Sequence, residues 1–215
     1  MRKQPLVIGE YYHIYNRGVE KRDIFLSKKD YFRFLESMGE FNSVKPIFSL
    51  YWHNQKKRRQ NVGVRHLRTR KLVEIICYCL NPNHFHLILK QVTKNGISEF
   101  MKRLGGGYTN YFNHRYKRSG VLFQGKFKSV HIDSNAQLLY LSAYINRNYF
   151  VHGYGNDKNW MYSSFLDYTG KRSRGICDTS IILDQFKDKN EYQVFMRENA
   201  LFMKDKKEDE KYLLE

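Results

Sequence analysis

Long hydrophobic runs, cysteines and an apolar leader are scarce or missing in this sequence, and each absence excludes a class of protein. No run approaches the ~18 consecutive apolar residues of a membrane span. Residues 1–10 lack the apolar core of a secretory signal. The three cysteines, Cys77, Cys79 and Cys177, are too few for a disulfide framework. We therefore expect a cytoplasmic protein with no membrane partner.

Acidic residues are absent from two long stretches, so the net charge of +17 is uneven as well as large. Residues 46–72 contain eight Lys and Arg residues, residues 101–131 contain seven, and neither stretch contains an acid. Such tracts predict binding to a polyanion, usually nucleic acid, although a merely solvated loop is the alternative for the first. The cations that we expect to contact DNA are Arg17, Lys56, Lys57, Arg58, Arg59, Arg103, Arg115, Lys126 and Lys128.

The hydrophobic periodicity predicts an α+β fold. Strand and helix patterns follow in the order strand, helix, strand, strand, helix, strand, helix. This order predicts a ferredoxin-like split βαβ unit (βαββαβα), an antiparallel sheet with its helices on one side and a helical C-terminal tail. We expect one domain over residues 1–170, with a basic insertion at about 53–71, and a helical extension over 171–215.

The triplet His84-Phe85-His86 begins the third predicted strand, after turn residues at 81–83. Side chains alternate faces along a strand, so His84 and His86 share one face while Phe85 points to the other. Two imidazoles at such positions can hold one cation. Two solvated or hydrogen-bonded histidines on a half-exposed strand are the alternative, and the triplet alone does not decide between them.

Four motifs in register resemble one family. They are YHIYNRG at 12–18, CLNPNHFHL at 79–87, GYTNYFN at 107–113 and SGVLFQGKFK at 119–128. Together they resemble the REP-associated tyrosine transposases, the single-tyrosine branch of the HUH nucleases, in which two histidines flank a hydrophobic residue. The resemblance covers about residues 10–168.

The resemblance implies cleavage of single-stranded or hairpin DNA by a tyrosine on the last core helix. The matching residues are Tyr144 as nucleophile and Asn148, four residues later, as a third metal ligand beside His84 and His86. Two imidazoles and an amide oxygen suit Mn²⁺ or Mg²⁺. Other tyrosines, notably Tyr140 and Tyr149, are rivals, but neither has an amide four residues later. A homodimer is one expected arrangement, because paired cleavages need two protomers or sequential turnovers.

Two other functions fit parts of the sequence. A non-catalytic single-stranded nucleic-acid-binding module with an RNA-recognition-like fold has the same order of strands and helices. A metal hydrolase without a covalent step would use the histidines but not the tyrosine. The paired histidines and the spacing of Tyr144 and Asn148 favour the metal-dependent DNA endonuclease and strand transferase, because a binding module needs neither.

Overall fold

The computed structural model describes residues 5–47, 50, 70–154, 160–172 and 175–212, with the backbone alone for 206–212. The predicted basic insertion lies almost entirely outside the described residues, as do Lys56, Lys57, Arg58 and Arg59.

The described part of the chain contains four strands and seven α-helices. The strands β1 to β4 are Tyr11–Arg17, Val73–Asn81, His84–Gln91 and Lys128–His131. The helices α1 to α7 are Lys28–Glu40, Gly96–Arg115, Asn135–Asn146, Asn148–Val151, Phe165–Tyr168, Ser180–Leu183 and Lys189–Tyr212.

The strands form one antiparallel sheet in the order β2-β3-β1-β4. This confirms the predicted α+β class, the antiparallel sheet and the C-terminal helix. The outer edge of β2 is covered by the segment that follows the last core helices: Leu80 N donates to Tyr162 O, and Ser164 N donates to Tyr78 O. Backbone groups that would otherwise offer an open edge are therefore satisfied.

Helices cover both faces of the sheet, and the prediction of helices on one side holds only for α1 and α2. Those two helices pack with Phe34 and Phe85 on the first face. Helices α3, α4 and α7 pack on the opposite face, where Ile88, Ile145 and Tyr192 are buried. The reason is the apolar character of β2 and β3 on both faces, since each apolar face must be removed from water.

Two element ends differ from those that the hydrophobic pattern indicates. The pattern of the fourth strand covers 123–132, but the strand is limited to β4 because Gly125 adopts a left-handed conformation (φ 68°) and turns the chain. The pattern of the last core helix covers 135–149. Helix α3 ends at Asn146, Arg147 leaves helical geometry (φ −112°, ψ 10°), and α4 begins a separate turn at Asn148.

The glycine triplet 105–107 lies inside a continuous helix, α2. A Cβ atom on Gly107 would lie 2.7 Å from a ring carbon of Phe41, the residue that caps α1. Close approach of the two helices therefore requires glycine at this position. None of the described helices is long and apolar enough to cross a bilayer.

Candidate active site

The two histidines of the triplet lie on the face of the sheet that α3 and α4 cover. Phe85 points to the opposite face and packs against Phe34, with ring centroids 5.2 Å apart. The His84 and His86 rings are nearly perpendicular, and their centroids are 5.1 Å apart. The alternation that the sequence predicted therefore brings both imidazoles to one side of β3.

His84 is oriented by its neighbour in the turn. Its Nδ1 lies 2.6 Å from Asn83 Oδ1. A carboxamide oxygen only accepts, so Nδ1 of the neutral ring carries the hydrogen and Nε2 keeps its lone pair. An unprotonated Nε2 is the arrangement expected of a histidine that ligates a cation through this atom.

Asn148 and Tyr144 reach the same place from the helical side. Asn148 is fully buried, and its Oδ1 lies 3.4 Å from His84 Nε2. Its Nδ2 has no hydrogen-bond partner among the described residues, which leaves the carbonyl as the atom turned towards the histidine. The ring of Tyr144 lies 5.9 Å from that of His86, centroid to centroid. The structure thus brings together the four residues that the sequence analysis singled out.

The phenol of Tyr144 is protonated at neutral pH. Burial raises its pKa above the ordinary value, and this effect outweighs the influence of the neighbouring Asn148 side chain, which lowers the pKa. The rival tyrosines differ in their surroundings. Tyr140 is 40% exposed, whereas Tyr149 is fully buried and stacks on Trp160, with ring centroids 5.9 Å apart.

His13 on β1 belongs to the site, although the sequence analysis treated it only as part of a motif. Its Nε2 lies 2.8 Å from His86 Nδ1. Burial lowers the pKa of His13 to about 4, and burial together with the neighbouring histidines lowers that of His86 well below 6.5. Both rings are therefore neutral near pH 7, and one N–H joins them. The alternation of side chains along β1 predicts that His13 lies on one face of the sheet, but it cannot show that His13 contacts His86.

Asn81 also belongs to the site, where the sequence indicated only a turn. It is the last residue of β2 and fully buried. Its Nδ2 donates to His84 Nε2 at 2.9 Å and to Asn148 Oδ1 at 2.5 Å. The side chain therefore links the two atoms that would ligate a cation. Nothing in the linear sequence marks this contact, because it joins a strand end to a helix 67 residues away.

The predicted DNA-contacting cations are divided between two surfaces. Arg17 pairs with His84 and Lys128 pairs with Tyr15 across the sheet, so both lie on the histidine face and both are exposed. Lys126 is exposed in the turn before β4. Arg103 bonds Glu99 and the Ser43 carbonyl, and Arg115 lies 3.4 Å from buried Asp30.

Arg103 and Arg115 therefore support the packing of α1 and α2 on the opposite face of the sheet. The roles of all these cations in DNA binding remain predictions.

The residues present fit a divalent cation. Two imidazoles and one amide oxygen converge from β3 and α4, and His84 Nε2 is the unprotonated nitrogen of its ring. Among the described residues no group of three or more His, Cys, Asp and Glu side chains gathers as a metal site. The donor set therefore depends on an amide oxygen, which favours Mg²⁺ or Mn²⁺ over Zn²⁺.

The fold and this site define an α+β domain in which a histidine pair on a central strand faces a tyrosine and an asparagine from the next helices. The model of the IS200-like transposase family matches residues 50–148, slightly less than half of the chain and the part that carries all four residues. This match confirms the resemblance indicated by the motifs and supports a transposase-type DNA function.

A solved structure, a REP-associated tyrosine transposase bound to a REP hairpin, has the same fold. It superposes with a TM-score of 0.51 at 16% sequence identity, and the match covers 83% of this chain and 88% of that chain. The comparison with curated proteins gives no significant match.

Proposed function

We propose that this protein is a metal-dependent single-stranded DNA endonuclease and strand transferase that acts through a phosphotyrosine intermediate. The observation that carries the proposal is the convergence of Tyr144 and Asn148 on His84 and His86. A module that only binds nucleic acid needs no half-buried imidazole pair facing a tyrosine.

His84 Nε2, His86 and Asn148 Oδ1 would hold the cation, Mg²⁺ or Mn²⁺. When bound, the cation supplies positive charge that stabilises the additional negative charge on the phosphate in the transition state. The remaining work belongs to the protein: helices α3 and α4 place Tyr144 and Asn148 beside the histidines, which the sheet holds in position.

The reaction breaks one phosphodiester bond and makes another. The Tyr144 oxygen forms a bond to phosphorus while the bond from phosphorus to the 3′ oxygen breaks. The phenolic proton is lost, and the departing 3′ oxygen takes up a proton. The products are a 5′-phosphotyrosine and a free 3′-OH. Attack by a different 3′-OH reverses the step and joins new strands without ATP.

The DNA path follows the open part of the histidine face. Arg17 and Lys128 are exposed on this face, and the ring of Tyr15 lies between Lys128 and His86, 5.7 Å from the His86 ring. A cation beside an aromatic ring suits single-stranded DNA, because the phosphates bind to the cation and the bases stack on the ring. The similar structure holds a REP hairpin, so we propose hairpin DNA with single-stranded flanks as the substrate.

Incubation with end-labelled hairpin oligonucleotides drawn from genomic single strands tests the proposal. Wild-type protein with Mn²⁺ should nick a subset of strands, and a chelator should stop the reaction. His84→Ala should bind the same DNA but cleave none of it, whereas His114→Ala, an exposed histidine of α2, should be as active as wild type. Cleavage by His84→Ala would contradict the metal site, and binding without cleavage by wild type would favour the binding module.

A further inference from the structure

The carboxamide of Asn81 occupies the position between two atoms that would ligate the cation. Its two N–H groups point at the lone pair of His84 Nε2, 2.9 Å away, and at Asn148 Oδ1, 2.5 Å away. Its own oxygen faces away from them, 3.5 Å from the thiol sulfur of Cys79. The side chain is fully buried, so water does not compete for these bonds.

The Asn81 amide hydrogens satisfy the lone pairs that a cation would otherwise engage. Two acceptor atoms 3.4 Å apart in a buried site need a positive partner, because unsatisfied buried acceptors cost free energy. The NH₂ group of Asn81, which carries a partial positive charge, is that partner. A cation that enters this position cannot coexist with amide hydrogens pointing at it.

We propose that Asn81 is a fourth protein ligand of the metal, recruited by a half-turn of its carboxamide. The half-turn exchanges Nδ2 and Oδ1, which places an oxygen beside His84 Nε2 and Asn148 Oδ1. In an octahedral site with bonds of about 2.1 Å, neighbouring ligand atoms are about 3 Å apart. The observed separations of 2.9 Å and 3.4 Å are close to this value, and only the 2.5 Å contact must lengthen.

The same geometry couples the half-turn to metal binding. With Oδ1 turned inward, two oxygens and a nitrogen lone pair face one another, and this arrangement is favourable only around a cation. With Nδ2 turned inward, the ligands are hydrogen-bonded without one. Asn81 therefore holds the ligands in place before the cation arrives and becomes a ligand afterwards. The inference rests on the proposed function, because it concerns the same site.

Mn²⁺ affinity of the DNA-free protein, measured by electron paramagnetic resonance titration, tests the proposal. Asn81→Leu keeps the branched shape at Cγ and removes the oxygen, so affinity should fall by at least about tenfold. Asn81→Asp offers a charged oxygen and no donor, so affinity should rise above that of wild type. Val130→Asp, exposed on the same face, is the control for the effect of one added negative charge.

The sign of the Asn81→Asp effect separates a ligand from a positioning donor. A donor that only orients His84 and Asn148 would be lost in Asn81→Asp, and affinity would fall as in Asn81→Leu; that result would overturn the proposal. Unchanged affinity in Asn81→Leu would overturn it as well. If His84→Ala binds Mn²⁺ as tightly as wild type, the metal site itself is refuted. If His84→Ala loses Mn²⁺ affinity while Asn81→Leu keeps it, only the role of Asn81 as a ligand is refuted.

A measurement on the wild type avoids any dependence on variants that fail to fold. Side-chain amide signals of Asn81 in a ¹H–¹⁵N spectrum should shift on addition of Mg²⁺, because both hydrogen bonds to the ligands break. The same signals should stay in place when Mg²⁺ is added to His84→Ala. Signals that do not respond to Mg²⁺ in the wild type, while Mn²⁺ binds, would overturn the proposal.

Discussion

At the scale of single residues, the ring of His86 is held by another histidine rather than by a carboxylate. His86 Nδ1 is committed to His13 Nε2, which leaves His86 Nε2 as its only unbonded ring nitrogen for a cation. For that nitrogen to keep its lone pair, His86 must donate and His13 must accept. His13 is therefore a positioning residue that selects the ligating form of His86.

Replacement of His13 tests this role. His13→Phe keeps an aromatic ring in the stack with His86, whose centroid lies 5.1 Å away, but removes the acceptor. We expect Mn²⁺ affinity to fall about 10- to 100-fold, as is typical for loss of a hydrogen bond to a metal ligand. His13→Gln can still accept and should recover part of the affinity. Equal affinities in His13→Phe and wild type would contradict the role.

The residue scale also shows what sequence patterns predict and what they miss. Period-two alternation placed His84 and His86 on one face and Phe85 on the other, because a strand leaves no other choice. The partners His13 and Asn81 were missed as site residues. Their contacts with His86, His84 and Asn148 arise only when strands and helix assemble, and no spacing rule encodes them.

At the scale of secondary structure, helix α3, which carries Tyr144, is fixed by a buried polar network. Tyr192 on α7 places its hydroxyl 2.9 Å from Ser142 Oγ and accepts from Asn146 Nδ2 at 3.1 Å. Asn146 Oδ1 accepts from Ser164 Oγ at 2.6 Å, and Ser164 in turn bonds the backbone of Tyr78 on β2. The helix is thus tied both to the sheet and to the C-terminal helix.

Removal of the Tyr192 hydroxyl should weaken this connection. Tyr192→Phe leaves the ring in the core but takes a partner from Ser142 and from Asn146, so the free energy of unfolding should fall by about 1–3 kcal/mol. Tyr140→Phe, at an exposed position of the same helix, should change it by less than about 0.5 kcal/mol. Urea denaturation measures both. Equal stability of the two variants would show that the network contributes nothing.

Element types followed the hydrophobic pattern more closely than element ends did. Strands β1 to β3 and helices α1 and α2 follow the predicted order, since each has at least one strongly apolar face. Strand β4 begins late, after Gly125, and helix α3 ends early, before Arg147, for backbone reasons that periodicity does not report. The packing of α3 and α7 on the second face depends on tertiary contacts, and so does the assembly of the site.

At the scale of the whole molecule, two of the predicted DNA-contacting cations, Arg17 and Lys128, lie exposed on the histidine face. Arg103 and Arg115 are engaged in contacts that hold α1 and α2 together on the other side of the sheet. A net charge of +17 attracts DNA, and on the histidine face exposed cations, an aromatic ring and the candidate nucleophile lie together. One chain carries the whole candidate site, and a homodimer remains a prediction.

The salt dependence of DNA binding should identify the surface used. Arg17→Ala and Lys128→Ala should each reduce the slope of log affinity against log salt by about 0.7, the value for one lost contact to single-stranded DNA. Lys94→Ala removes an exposed lysine beyond the far end of β3, so its slope should match wild type. Fluorescence anisotropy at several salt concentrations gives all the slopes. A larger loss in Lys94→Ala would place the DNA elsewhere.

The central claim is that the Tyr144 oxygen attacks the phosphate in a metal-dependent reaction, and mass spectrometry of the covalent product tests it most directly. Wild-type protein is incubated with a cleaved strand and Mn²⁺, denatured in detergent, digested and searched for a peptide that carries a nucleotide. The account predicts one modified residue, Tyr144, an adduct that a chelator prevents, and none in Tyr144→Phe, while Tyr140→Phe reacts as wild type does. An adduct on Tyr140 or Tyr149, or one that persists in Tyr144→Phe, would contradict it.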